Sequence, residues 1–217
     1  MKNLLFKEFH LATSPLSFLF LGFTLMTFIP GYPILCGAFF VCFGIFQSYQ
    51  FAREDQDILY TVLLPVRKSD AVKSKYTAAV VLQLIAFSFF CIFTCIRMVF
   101  LSDSGVYTSN VLMGANPVFL AYVLLIFAAF NVVFIGGFFK TAYRFGKPFI
   151  LFIILSFFVI GIAETLHHLP GLSWMNSLDF SYAGRQIPFF LAATLVYFAS
   201  TAISCIVSQS RFEKLDL

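Results

Sequence analysis

The sequence predicts an all-α membrane protein of six transmembrane helices with both termini cytoplasmic, on three observations. Apolar residues make up 60% of the 217 and charged residues 11%, against about 45–50% and roughly 25% in soluble globular chains. The apolar residues fall in runs of about 20, the length that crosses a hydrocarbon core as a helix. The Lys and Arg between those runs lie almost wholly on one side. A soluble fold of this size leaves too much surface exposed to hide so many apolar side chains, 32 Phe among them.

In chain order, residues 1–10 read MKNLLFKEFH. Leu4, Leu5 and Phe9 share one helix face while Lys2, Lys7 and Glu8 are left for water, which predicts a short helix lying in the inner interface. No small-residue cleavage site precedes Pro30, so no cleavable signal peptide is read. Spans are read at 11–29, 32–51, 76–101, 116–139, 148–163 and 187–207, in a single domain over 1–217. Pro30-Gly31-Tyr32-Pro33 separates the first two. Backbone groups find no water partners in hydrocarbon, so each span is helical. The Gly136-Gly137 pair suits close approach of two helices or a bend. The outer loop 164–186 carries Trp174 and Tyr182, residues of the headgroup layer. With a short fifth span before it, this loop is expected to dip back into the membrane.

Orientation follows from the basic residues. With the N-terminus inside, Lys2, Lys7, Arg53, Arg67, Lys68, Lys73, Lys75, Lys140, Arg144, Lys147, Arg211 and Lys214 are cytoplasmic, and only Arg97 and Arg185 lie outside. The net charge of +4 is therefore a topology signal, not a stripe for nucleic acid. Cys36, Cys42, Cys91, Cys95 and Cys205 all fall inside spans without a Cys-x-x-Cys pair, and they read as small buried hydrophobes rather than disulfides or a metal site.

The inner loop 52–75, AREDQDILYTVLLPVRKSDAVKSK, is the longest cytoplasmic connection and the most densely charged. Ile58, Leu59, Val62 and Leu63 place an apolar stripe on a short helix. Glu54, Asp55 and Asp57 lie at its N-terminal end, where negative charge suits the helix dipole. Pro65 ends the helix, and Ser69 is placed to cap the next turn. Such a helix is either a docking element or an ordinary solvated loop that fixes topology, and the residues alone admit both. Lys73 and Lys75, nearer the membrane, are expected to anchor anionic lipid. Arg67 and Lys68 are expected at the rim of a docking surface.

At Leu64-Pro65-Val66-Arg67-Lys68-Ser69-Asp70-Ala71-Val72-Lys73-Ser74-Lys75-Tyr76, preceded by Glu54-Asp55-Gln56-Asp57, the chain resembles the permease subunits of type-2 ABC exporters. The resemblance is nearest to the small bacterial permeases that export phenol-soluble modulins and related peptides. Ala71 departs from it, standing where the family more often has a larger aliphatic residue. The resemblance implies a coupling helix in this loop, a separate cytoplasmic ABC ATPase that holds ATP and magnesium, and a second permease subunit. A second copy of this chain is the expected partner and a related permease the alternative. It also implies an amphipathic peptide as substrate and the bacterial cytoplasmic membrane as location. No Gly-x-x-x-x-Gly-Lys-Ser/Thr sequence occurs here, so the chain supplies no nucleotide site and no catalytic residue. A permease for lantibiotic or drug immunity, and a non-transporting membrane scaffold, are the rival readings.

Gln47, Gln50, Gln83, Arg97 and Asn131 lie in or near spans, where polar side chains either bond a neighbouring helix or line a wet path. Glu164-x-x-His167 is a single carboxylate–imidazole pair at a span end. A di-iron bundle needs two such pairs and further Glu, so it reads as an interfacial cluster and not a metal site.

Overall fold

The computed structural model describes residues 2–63, 66–101, 104–108, 110–141 and 144–215, and the regular elements among them are all helices. Helix α1 (Lys2–Lys7) runs into a π-helical stretch, Glu8–Ala12. Helix α2 (Pro15–Phe20) continues as a 3-10 stretch, Leu21–Phe28. Then come α3 (Cys36–Glu54), α4 (Asp57–Leu63), α5 (Lys68–Phe100), α6 (Gly105–Thr108), α7 (Pro117–Phe138), α8 (Gly146–Leu166) and α9 (Ala183–Glu213).

Four helices, α5, α7, α8 and α9, are long and apolar enough to cross a membrane, and a fifth crosses if Asn3–His10 and Pro15–Phe28 form one broken span. The expected first span, 11–29, is thus not a continuous helix. Its break has a local cause: Ser14 caps α2, its Oγ accepting from the Leu16 amide at 3.2 Å, and Pro15 at the first helical position has no amide hydrogen to continue the preceding turn. Gly31, at φ +73°, makes the reversal into α3. Helix α3 has 19 residues, but Gln47, Ser48, Gln50, Arg53 and Glu54 make its last third polar. With 33 residues α5 is about 50 Å long. That exceeds a hydrocarbon core of about 30 Å, so its first two turns stand clear of it.

The core is built around α7. Of its apolar window 72% is buried, against 17% for α9, as expected of a helix apolar on every side. Phe side chains fill the space between α3, α7 and α8. Phe46 stacks on Phe149 with ring centres 3.7 Å apart, and Phe130 meets Phe152 edge-on at 5.1 Å. So a large part of the Phe content serves packing. Gly136 faces Ser204 on α9 and Gly137 faces Pro148 on α8, each so near that a Cβ would come within 2.9 Å, so the pair does allow close approach.

At the end of the bundle away from α4, Asn116 caps α7 by accepting from the Phe119 amide at 3.0 Å, and donates to the Met175 and Ser177 carbonyls at 2.8 and 3.2 Å. Gln186 donates to the Trp174 and Ser177 carbonyls. The outer loop forms only two short 3-10 turns, Ser173–Asn176 and Phe180–Tyr182, held by these amides over the helix ends. Among the described residues this segment holds no longer helix. Of the cysteines, Cys36 and Cys42 are buried, Cys91 and Cys205 half-buried, and Cys95 exposed on α5.

Candidate functional site, the foot of the bundle and its ion cluster

Below the core, α1, α4 and the first turns of α5 meet. Helix α3 ends at Glu54, and Gln56 takes φ +51°, a left-handed conformation uncommon outside glycine. This reversal sends α4 back beneath the bundle. Helix α4 starts at Asp57, so only that acid stands in its first turn. Glu54 and Asp55 belong to the exposed end of α3. Thr61 is buried, and Ile58 and Val62 are half-buried against the core. The expected docking stripe is therefore turned inward at both of these positions. Leu59 lies between the two sides, and the apolar side chains α4 leaves free are Tyr60, 64% exposed, and Leu63, 74% exposed. Pro65 lies outside the described residues.

The inward face carries an ion cluster. Lys7 Nζ lies 2.6 Å from Asp57 Oδ1, 3.3 Å from Glu8 Oε1 and 2.5 Å from Thr61 Oγ1. Lys75 Nζ lies 2.9 Å from Glu8 Oε2 and 2.9 Å from Asp57 Oδ2. The Lys7–Glu8 and Lys75–Asp57 contacts are ion pairs without hydrogen-bond alignment at the carboxylate oxygen. Glu8 is 4% exposed and Lys75 8%. Burial works against the Asp57 charge, but Lys75 and then Lys7 beside it outweigh burial and hold its carboxyl below the usual range. Two expectations are corrected here. Lys7 and Glu8 are not left for water, because α4 folds back over them. Lys75 is not placed to anchor lipid, because its ammonium is spent on two carboxylates inside the protein. Lys73 stays partly exposed near Asp70 at 4.0 Å. Helix α5 begins at Lys68, so Ser69 lies in its first turn and caps nothing. Arg67 is exposed, while Lys68 donates to the Leu215 carbonyl at 2.6 Å and ties the end of α9 to the start of α5.

Higher up, Gln83 and Asn131 exchange amide hydrogen bonds of 2.9 and 3.0 Å. Asn131 also donates to Thr201, and Tyr197 donates to Gln83 Oε1 at 2.8 Å. Tyr76 lies within hydrogen-bond distance of Ser204 and Ser208, 2.8 and 3.0 Å away. Gln83 and Asn131 have no exposed surface. They pin α5, α7 and α9 together. Arg97, also fully buried, donates to the Thr27 carbonyl at 2.7 Å and lies over the Tyr107 ring, tying α5 to α2. Gln47 and Gln50 are half-buried on the polar third of α3.

A family model described as ABC-2 family transporter protein matches residues 3–213. The chain belongs to the ABC-2 transporter family. No curated protein and no solved structure matches it. Family membership makes this ABC-2 chain a multi-pass membrane component of an ABC transporter, in agreement with its several apolar helices. The ABC-2 sequence alone does not reveal Lys7 and Glu8 as cluster members or Tyr60 as an exposed residue of α4. A buried cluster joining position 8 to position 75 leaves no local pattern, since its geometry depends on α4 folding back. Tyr60 was legible in principle, because it sits opposite Ile58 and Val62 on a helix.

Proposed function

We propose that this chain is the permease half of an ATP-driven exporter and that α4 docks on a separate ABC ATPase through Tyr60 and Leu63. Its spans number six, with both termini cytoplasmic, and a second copy of the chain completes the export path. The substrate is an amphipathic or hydrophobic peptide, as the likeness to phenol-soluble modulin permeases implies. The nucleotide and its magnesium belong to the ATPase, and the part of this chain is to receive that subunit's motion.

The observation that carries this reading is the free face of α4. Its other side is fixed by the core and by ion pairs, yet Tyr60 and Leu63 stay uncovered, and in the proposed topology they face the side that holds twelve of the fourteen basic residues. An aromatic and an aliphatic anchor ringed by charge have the make-up of an interface centre, where truncating one residue typically costs about 2 kcal/mol or more. Affinity purification from native membranes tests it. A chain carrying a Walker sequence is expected to co-purify with the wild type in a two-to-two complex. Leu63→Asp is expected to reduce its recovery at least tenfold, by about 1.4 kcal/mol or more. Full recovery with Leu63→Asp, or with Tyr60→Asp, would defeat the assignment.

A further inference from the structure

From Ser104 to Ala163 the chain contains no Asp or Glu, yet Lys140, Arg144 and Lys147 stand within one run of eight residues there. All three are exposed. Just past α7 the Lys140 amide donates to the Gly137 carbonyl at 3.3 Å, and the Arg144 amide donates to Thr141 Oγ1 at 3.1 Å, so the turn that carries these cations is compact. Helix α3 adds a fourth, Arg53, whose guanidinium lies 4.8 Å from the centre of the Phe145 ring. Among the described residues none of the four has a carboxylate within 4.0 Å. Glu54 and Asp55 follow Arg53 in the sequence, so Arg53 marks the edge of the patch.

The fold gains nothing from this placement. Like charges repel, and Lys147 stands in the first turn of α8, where the helix dipole disfavours a cation and no acid offsets it. Setting the orientation of the chain asks only that cations lie on one side, not that they crowd at a helix start. An anion from outside the chain offsets both penalties. The face beyond the cations says which kind. Lys147, Ile150, Leu151 and Ile154 recur at the spacing of one helix face, and the three aliphatic side chains are 57%, 58% and 61% exposed. On a helix long enough to cross a membrane, such a face meets acyl chains. The cations are therefore set where an acyl-covered face reaches its polar end, at the depth of a lipid phosphate.

We infer that Lys140, Arg144 and Lys147 form a binding surface for the headgroup of an anionic phospholipid whose acyl chains lie along Ile150, Leu151 and Ile154. The two lysines supply point charges, and Arg144 supplies a planar fork suited to two phosphate oxygens. This surface is separate from the exposed face of α4 and does not depend on its docking role.

Native mass spectrometry of the detergent-purified protein tests this, with phosphatidylglycerol or phosphatidylcholine added at matched concentrations. The wild type is expected to bind phosphatidylglycerol more tightly. Arg144→Gln with Lys147→Gln is expected to weaken that binding about tenfold or more, and to leave phosphatidylcholine unchanged. Arg144→Lys with Lys147→Arg keeps the charge and should retain most of the affinity. Lys73→Gln with Lys214→Gln removes as much charge at the ends of α5 and α9 and should change nothing, which separates a site from net charge. Glycerophosphoglycerol, the headgroup without chains, should compete weakly. Competition by this headgroup as strong as by the whole lipid would overturn the assignment to a lipid. Equal binding of the two lipids by the wild type would overturn the inference, as would wild-type affinity in the Arg144→Gln, Lys147→Gln pair. If that pair kept its phosphatidylglycerol but lost the second copy of the chain, this face would belong to the copy and not to lipid.

Discussion

A side-chain amide buried in a bilayer must find its partners inside the protein, and Asn131 shows how fully this can be met. Its amide group bonds Gln83 twice and Thr201 once. Its backbone carbonyl, in the π stretch Phe130–Ile135, accepts from the Gly136 amide and also from Ser204 Oγ at 3.1 Å. Asn131→Leu would leave the Gln83 amide and the Thr201 hydroxyl short of partners. An unsatisfied buried polar group costs about 1–3 kcal/mol, but polar pairs in membranes average nearer 0.6 kcal/mol, because the unfolded chain in lipid also finds partners. We expect a loss of about 1–2 kcal/mol, the low end for two groups. It would be seen as a lower melting temperature in detergent, with a smaller drop for Thr201→Val, which removes only one acceptor. An unchanged melting temperature for Asn131→Leu would show that the network contributes no net stability.

At the scale of elements, α2 and α3 depend on how closely they cross. Ser17 Oγ donates to the Gly44 carbonyl at 2.6 Å and lies 2.7 Å from Ser48 Oγ. A Cβ on Gly44 would collide with the Phe20 side chain at its base, where it cannot swing aside, whereas a Cβ on Gly22 meets nothing within 4 Å. Gly44→Ala should therefore lower the melting temperature even though Ala is the better helix former by about 1 kcal/mol. Gly22→Ala should leave it unchanged or raise it. Equal behaviour of the two variants would mean that α2 shifts to make room. These elements also show what a sequence reveals. The spans of α5, α7, α8 and α9 were legible within a few residues at most ends, because lipid imposes a long apolar run that no local effect conceals. The break at Ser14–Pro15 was visible as a helix-start signal but is outweighed, in a hydropathy reading, by the apolar residues on either side. The inward side of α4 was not legible, because periodicity alone cannot say which side of an amphipathic helix packs on the core, as Ile58 and Val62 partly do.

For the whole molecule the open quantity is the number of crossings. The charge distribution favours both termini on one side, which any even number satisfies. Helices α5, α7, α8 and α9 supply four. The pair α2 and α3 either crosses twice, giving six, or enters from the inner side as a hairpin and leaves four. Length favours crossing. Helix α3, with 19 residues, is about 28 Å long. Pro15–Phe28, with its last eight residues at the longer 3-10 rise, is about 25 Å. Both come close to the hydrocarbon thickness of about 30 Å, and their junction, Pro30, Gly31 and Tyr32, is exposed. With six crossings this junction lies outside, on the same face as Ser104. With four it stays within the membrane. On a background with all five cysteines replaced, Tyr32→Cys should react with a membrane-impermeant maleimide added outside, as Ser104→Cys does, while Ser69→Cys reacts only after the membrane is opened. Protection of position 32 under conditions that label position 104 would reduce the count to four and make α2 and α3 a re-entrant hairpin. The foot would keep its side of the membrane in either case, because α2 and α3 enter and leave as a pair.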